Sequence, residues 1–167
     1  MLLALQVVTV FLVAVTMSLA LAHVLELPGK LRLDEQTYLA VQTIYYPCFT
    51  IWGISEPLAI IATAVLLLVG PKNEAKFWLT FAACLAIVCM QLVFWLVTQP
   101  VNRFWLKNHA LSASGERFFG VGQTKRPVRN TNNENWRHLR NRWEYSHAIR
   151  AVLSAAALIV MVIAVAM

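Results

Sequence analysis

The chain has 167 residues, 59% of them hydrophobic and only 13% charged, with a formal net charge of +6. A soluble domain carries about 25% charged residues. This composition therefore excludes a conventional soluble enzyme, a disordered protein and a disulfide scaffold, and it fits an integral membrane protein.

Charge-free runs set the elements. Residues 1–25 carry no Asp, Glu, Lys or Arg, residues 36–71 carry only Glu56, and residues 77–102 and 151–167 carry none. A spanning helix needs about 20 apolar residues. These runs are continuous rather than alternating, so they predict transmembrane helices near 2–25, 45–70, 77–99 and 145–167. The fold class is all-α, an integral-membrane four-helix bundle, with residues 1–167 forming a single domain. The first run ends in Ser18-Leu-Ala-Leu-Ala22, like a signal-peptide cleavage site. Its uncharged start and an apolar core longer than ~7–15 residues argue for a retained helix instead.

Between the runs, Pro28-Gly29 stops helix one, and Asp34 caps a short amphipathic segment over 35–46. Pro57 should kink helix two. Trp78 and Trp95 mark the two ends of helix three, about 26 Å apart, as in an aromatic belt. Residues 103–144 form a long loop. Within it, Gly120-Val-Gly-Gln-Thr-Lys125 lacks the spacing and flanking strand of a phosphate loop. Trp136, Leu139, Trp143 and His147 recur at helical spacing, so helix four starts early, near Asn133 or Glu134. Cys48, Cys84 and Cys89 have no metal-ligand spacing.

Of the 14 Lys and Arg, only Lys72 and Lys76 lie between helices two and three. The positive-inside rule then makes the 103–144 loop cytoplasmic and puts both termini on the non-cytoplasmic side, in an inner, bacterial membrane. The basic loop suits anionic lipid headgroups, at about 1 kcal/mol per cation, and not nucleic acid.

Each helix carries one polar stripe: Thr9, Thr16 and His23; Glu56 and Thr63; Cys84, Gln91 and Thr98, followed by Asn102; and Glu144, His147, Arg150 and Ser154. Residues three, four or seven apart share a helix face. Hydrocarbon penalises such groups, so the stripes should converge on a polar pocket at the cytoplasmic ends of the helices. The sharpest pattern is His23-x-x-Glu26 opposite Glu144-x-x-His147. Two imidazoles and two carboxylates suit non-haem iron or another divalent metal, and a two-His haem on His23 and His147 is a weaker alternative. The same residues also fit structural roles. Glu26 and Glu144 can pair with Arg32 and Arg140, Glu56 with Arg150, and the imidazoles can bond between helices.

Three short motifs carry a resemblance. They are Ala22-His23-Val-Leu-Glu-Leu-Pro28, Pro100-Val-Asn102, and Trp136-Arg-His-Leu-Arg140 running into Trp143-Glu-Tyr-Ser-His147-Ala-Ile-Arg150. In these the chain resembles the anthrone oxygenase-like family of small four-helix membrane proteins. The resemblance implies an oxygenase-like redox enzyme that oxidises a lipophilic aromatic, anthrone- or quinone-like, with dioxygen. His23 or His147 would then be the base, and Arg150 or Asn102 would stabilise the enolate oxygen. Two other readings fit the residues: a non-catalytic subunit or assembly partner of a larger membrane complex, and a membrane haem- or metal-binding protein.

Overall fold

A computed structural model of the chain describes residues 1–72, 74–105 and 133–167. The sequence motif at 120–125 and most of the polar loop lie outside the described residues. The described elements are α1 (Leu2–Lys30), α2 (Glu35–Gln42), a 3-10 turn (Thr43–Tyr45), α3 (Cys48–Trp52), α4 (Ser55–Val69), α5 (Ala75–Val93), a π-helical turn (Phe94–Thr98), α6 (Gln99–Trp105) and α7 (Asn133–Ala166), with no strand among them. Four helical stretches are long and apolar enough to cross a membrane: Leu2–Lys30, Cys48–Val69, Ala75–Arg103 and Trp136–Ala166. They form a four-helix bundle in which each span packs on two neighbours, in the cyclic order α1, α4, α5, α7.

Small residues let the axes approach. Ala59, Ala83 and Ala157 are fully buried at the contacts of α4, α5 and α7, beside Val13, Leu66, Ile87 and Met161. In lipid this close packing replaces the hydrophobic effect as the force joining helices. Large apolar side chains such as Phe11, Leu25, Leu68, Leu96, Val152 and Ile159 point outward. The polar stripes turn inward as the spacing requires: Thr9, Thr16, His23, Glu56, Thr63, Thr98, Glu144, His147, Arg150 and Ser154 are all buried. Two hydroxyl pairs tie neighbouring spans together, Thr16 with Ser55 and Thr98 with Ser146, each at 2.9 Å.

Asp34 caps α2 by accepting from the Thr37 amide at 2.8 Å, and that hydrogen bond holds its carboxyl below the usual range. The segment folds back under the bundle, burying Tyr38 and Tyr45 among Val101, Trp105, Trp136 and Trp143. Helix seven begins at Asn133, as its aromatic spacing requires.

Several expectations are corrected. Helix one does not stop at Pro28; it runs on to Lys30, because a proline in the last turn deprives only one carbonyl of a partner. The second span does not kink at Pro57 but breaks at Gly53 and Ile54, between α3 and α4. Pro57 sits in the first turn of α4, where the amide it lacks is least missed. Trp95 does not mark the end of the third apolar span. The third span continues through the π turn to Arg103, which sets Trp95 about 12 Å inside it. Pro100 accounts for that irregularity: it has no amide for the Leu96 carbonyl four residues back, and that carbonyl accepts from Arg142 Nη2 at 3.3 Å instead.

Candidate functional site

Two linked polar clusters lie where α1, α4, α5 and α7 meet below the α2 fold-back. The deeper one is built on a pair of imidazoles. His23, two turns from the end of α1, and His147, on the buried face of α7, have ring centroids 4.0 Å apart. Aromatic rings enclose them: Trp143 is 4.2 Å from His147, and Tyr45 and Phe49 are 4.5 and 5.2 Å from His23. Arg150, one turn beyond His147, donates through Nη1 to His147 Nδ1 at 3.1 Å and pairs through Nη2 with the Glu56 carboxylate. An arginine only donates. The Nδ1 it reaches therefore carries no proton, and the neutral ring holds its hydrogen on Nε2. Gln91, its amide oriented to satisfy both neighbours, donates to Glu56 Oε2 at 2.8 Å and accepts from Trp95 Nε1 at 2.9 Å. This orders a chain of side chains from α5 through α4 to α7.

The shallower cluster centres on Lys30. Its buried ammonium is 2.9 Å from Glu26 and 3.8 Å from Glu144, and it sits over the rings of Tyr45 and Trp143 at 4.6 and 5.0 Å. Tyr45 donates to Glu26, and Tyr38 donates to Glu144 at 2.9 Å. Burial first, and then the carboxylate each phenol meets, push both phenols well above the ordinary tyrosine range.

Above the imidazoles opens a cavity of about 650 Å³, within the roughly 300–1,000 Å³ usual for small-molecule sites. Aromatic and apolar side chains make most of its wall, and His23, Glu56, Gln91, Asn102, His147 and Arg150, with Gln42 and Thr50, are among its polar groups. His23 Nδ1, His147 Nε2 and Arg150 Nε are buried with no hydrogen-bond partner among the described residues. Such a group costs about 1–3 kcal/mol, so these three, with the Gln42 Nε2 that is likewise unpartnered in the cavity wall, mark a site kept polar against stability.

A family model described as anthrone oxygenase matches residues 48–160. The chain belongs to the anthrone oxygenase family. No curated protein and no solved structure matches it. The matched stretch holds Glu56, Gln91, Asn102, Trp143, His147 and Arg150, whereas His23, Glu26, Lys30 and Tyr45 precede it.

Of the residues singled out in the sequence, His23, His147 and Arg150 come together around the cavity. Asn102 reaches its rim, but its side chain is engaged: its carbonyl accepts from Trp143 Nε1 at 2.7 Å and its amide donates to Gln99 at 3.4 Å. It positions Trp143. The four expected metal ligands do not form one shell. Glu26 and Glu144 lie around Lys30 and the two imidazoles lie against each other, and no three His, Cys, Asp or Glu among the described residues are grouped to hold a metal. A cation between the carboxylates would have to displace the lysine ammonium. Nor is there a gap between the touching imidazoles for a haem plane. Arg140 does not pair with either carboxylate; it donates to the Leu31 carbonyl at 3.3 Å. Lys30, Tyr38, Tyr45 and Trp143 are the site residues that sequence reasoning missed. The spacing of four between Glu26 and Lys30, and between Trp143 and His147, was their available signal.

Proposed function

We propose that this protein oxidises a flat, lipophilic aromatic, anthrone- or quinone-like, with dioxygen in the aromatic cavity above His23 and His147. The observation that carries the reading is the pair of contacting imidazoles, one of them locked by Arg150, at the polar edge of an otherwise apolar cavity.

The locked ring divides the roles. His147 offers Nε2–H, and beside it Arg150 offers its guanidinium, to the substrate oxygen on which charge develops. His23, with no partner on Nδ1, is the base that takes the acidic ring proton. The resulting carbanion forms a carbon–oxygen bond to dioxygen, the peroxide anion takes the proton back from His23, and the hydroperoxide so formed loses water to leave the new carbonyl. Anthrone and dioxygen thus become quinone and water. Tyr45, Phe49 and Trp143 clamp the ring system and keep water from the carbanion. With the basic segments taken as cytoplasmic, the site faces the inner leaflet and both termini lie on the opposite side.

The test is oxygen uptake and quinone absorbance with an anthrone and the protein purified in mild detergent. His23→Ala and the double variant with His147→Ala should each lose at least the ~10²-fold that a positioned base supplies. Full turnover in the double variant would refute the assignment.

A further inference from the structure

We infer that the cavity takes its ligand sideways from the bilayer, through a mouth between Ile51 and Ile54 on one side and Phe94 and Trp95 on the other. The inference rests on the reading above that the occupant is a flat apolar molecule, and it assigns where that molecule comes from.

Three observations carry it. First, residues that line the cavity are also exposed on the outer surface of the spans: Ile51 is 62% exposed, Ile54 59% and Trp95 46%. A side chain that faces both the interior and the outside stands at an opening. Second, the opening reaches well into the apolar spans, although exposed Pro47 at the end of the second span also borders the cavity. Ile54 is about 9 Å along from Cys48, and Trp95 about 12 Å from Arg103, so its surroundings are acyl chain. Toward the α2 side the cavity is roofed by the buried aromatic cluster of Tyr45, Trp105 and Trp143 and by the Lys30 ion pairs. Third, both jambs are irregular at the same level. On one, the chain breaks between α3 and α4 at Gly53, where a Cβ would stand 3.2 Å from the Phe49 and Thr50 carbonyls. The short α3 packs on α1 and on the 3-10 turn. On the other, the π turn at Phe94–Thr98 shifts the helix face, and such turns in helices are frequent at functional sites. A regular helix on either side would bring straight ridges together and close the gap.

The geometry also orients the ligand. A flat ring system passing between Ile54 and Trp95 meets Phe49 and Trp143 along its faces, and its leading edge arrives at His147 and Arg150. The class admitted is therefore a bilayer-dissolved polycycle with an oxygen at one end.

The experiment uses the full chain in phosphatidylcholine nanodiscs, with azidoanthraquinone as a membrane-soluble photoprobe and its sulfonate as a water-confined one. Labelled residues are mapped by mass spectrometry. Azidoanthraquinone should label the peptides holding Tyr45 and Trp143, and the sulfonate should do so at least tenfold less. Ile54→Trp should cut the azidoanthraquinone label at least tenfold, and Ile159→Trp, on a distant outward face, should leave it unchanged. Equal labelling by the sulfonate overturns the inference in the wild-type protein alone, whatever the folding of the variants. So does absence of label at Tyr45 and Trp143, or an undiminished label in a folded Ile54→Trp variant. A labelled cavity with no oxygen uptake refutes the oxidation and leaves the mouth standing. Oxygen uptake with equal sulfonate labelling does the reverse.

Discussion

Glu56→Ala tests the most consequential pair in the bundle. The carboxylate and the Arg150 guanidinium are both buried and in contact, and the remaining Arg150 hydrogen bond goes to neutral His147. Removing the carboxylate leaves a full positive charge in an apolar interior. Breaking one side of a buried pair costs about 3–5 kcal/mol, while replacing both sides by apolar groups of similar volume is neutral or stabilising by about 1–4 kcal/mol. Glu56→Ala and Arg150→Met should therefore each lower stability by about 3–5 kcal/mol, and Glu56→Leu with Arg150→Met should recover most of that. At about 2–4 °C per kcal/mol, each single variant melts roughly 6–20 °C lower. The assay is denaturant titration in mixed micelles, followed by helical circular dichroism and closed as a double-mutant cycle. Single losses below about 1 kcal/mol that simply add in the double variant would refute the claim that the two charges form one buried unit.

Other outcomes follow from the same contacts. Lys30→Met leaves Glu26 and Glu144 facing each other without the ammonium between them, and should cost about 3–5 kcal/mol; a second change, Glu144→Gln, should restore at least half in the same titration. Asn102→Ala strips the Trp143 indole of its acceptor and should cost about 1–3 kcal/mol of stability, and retention of wild-type stability would show that the bond is dispensable. Tyr45 is an acid whose folded value is raised, so its contribution is complete below the unfolded value of about 10 and is lost as the pH rises from there. Wild type should thus lose thermal stability above pH ~10 more steeply than Tyr45→Phe, and an identical alkaline slope would count against the buried phenol.

The polar stripes were legible because a lone charge or imidazole in a long apolar run has only one affordable direction, inward. That is why Glu56 with Arg150, and His23 beside His147, could be read from spacing and depth. What spacing cannot supply is the identity of the neighbour on another helix. Glu26 and Glu144 invite a metal or the nearby Arg32 and Arg140 on paper, yet Lys30 fills the place between them, because α1 continues past Pro28 and turns the lysine inward. The break in the second span was misplaced for a related reason. Proline is an unmistakable letter, but in the first turn of α4 it does no harm, whereas Gly53 is an unremarkable one that permits the close carbonyl contacts. Trp95 looked like an interface anchor because its distance from Trp78 matched a bilayer. Pro100 does not end the helix there, and the π turn draws Trp95 into the cavity wall and onto Gln91.

The stripe that stabilises the bundle and the groups that would do chemistry are the same atoms, and this makes them separable by experiment. Arg150 closes the ion pair with Glu56 and also fixes the ring of His147. In Glu56→Leu with Arg150→Met the first task disappears at the cost of only the Gln91 hydrogen bond to Glu56, while the second has no replacement: His147 is free to rotate and to exchange tautomers. That double variant should be as stable as wild type within about 1–2 kcal/mol and still lose about 10²-fold or more in anthrone oxidation, since one donor preorganised at a developing oxyanion is worth about 10²–10³. A stable double variant with full turnover would mean that Arg150 serves packing alone, and that the oxygen of the substrate is held elsewhere in the cavity.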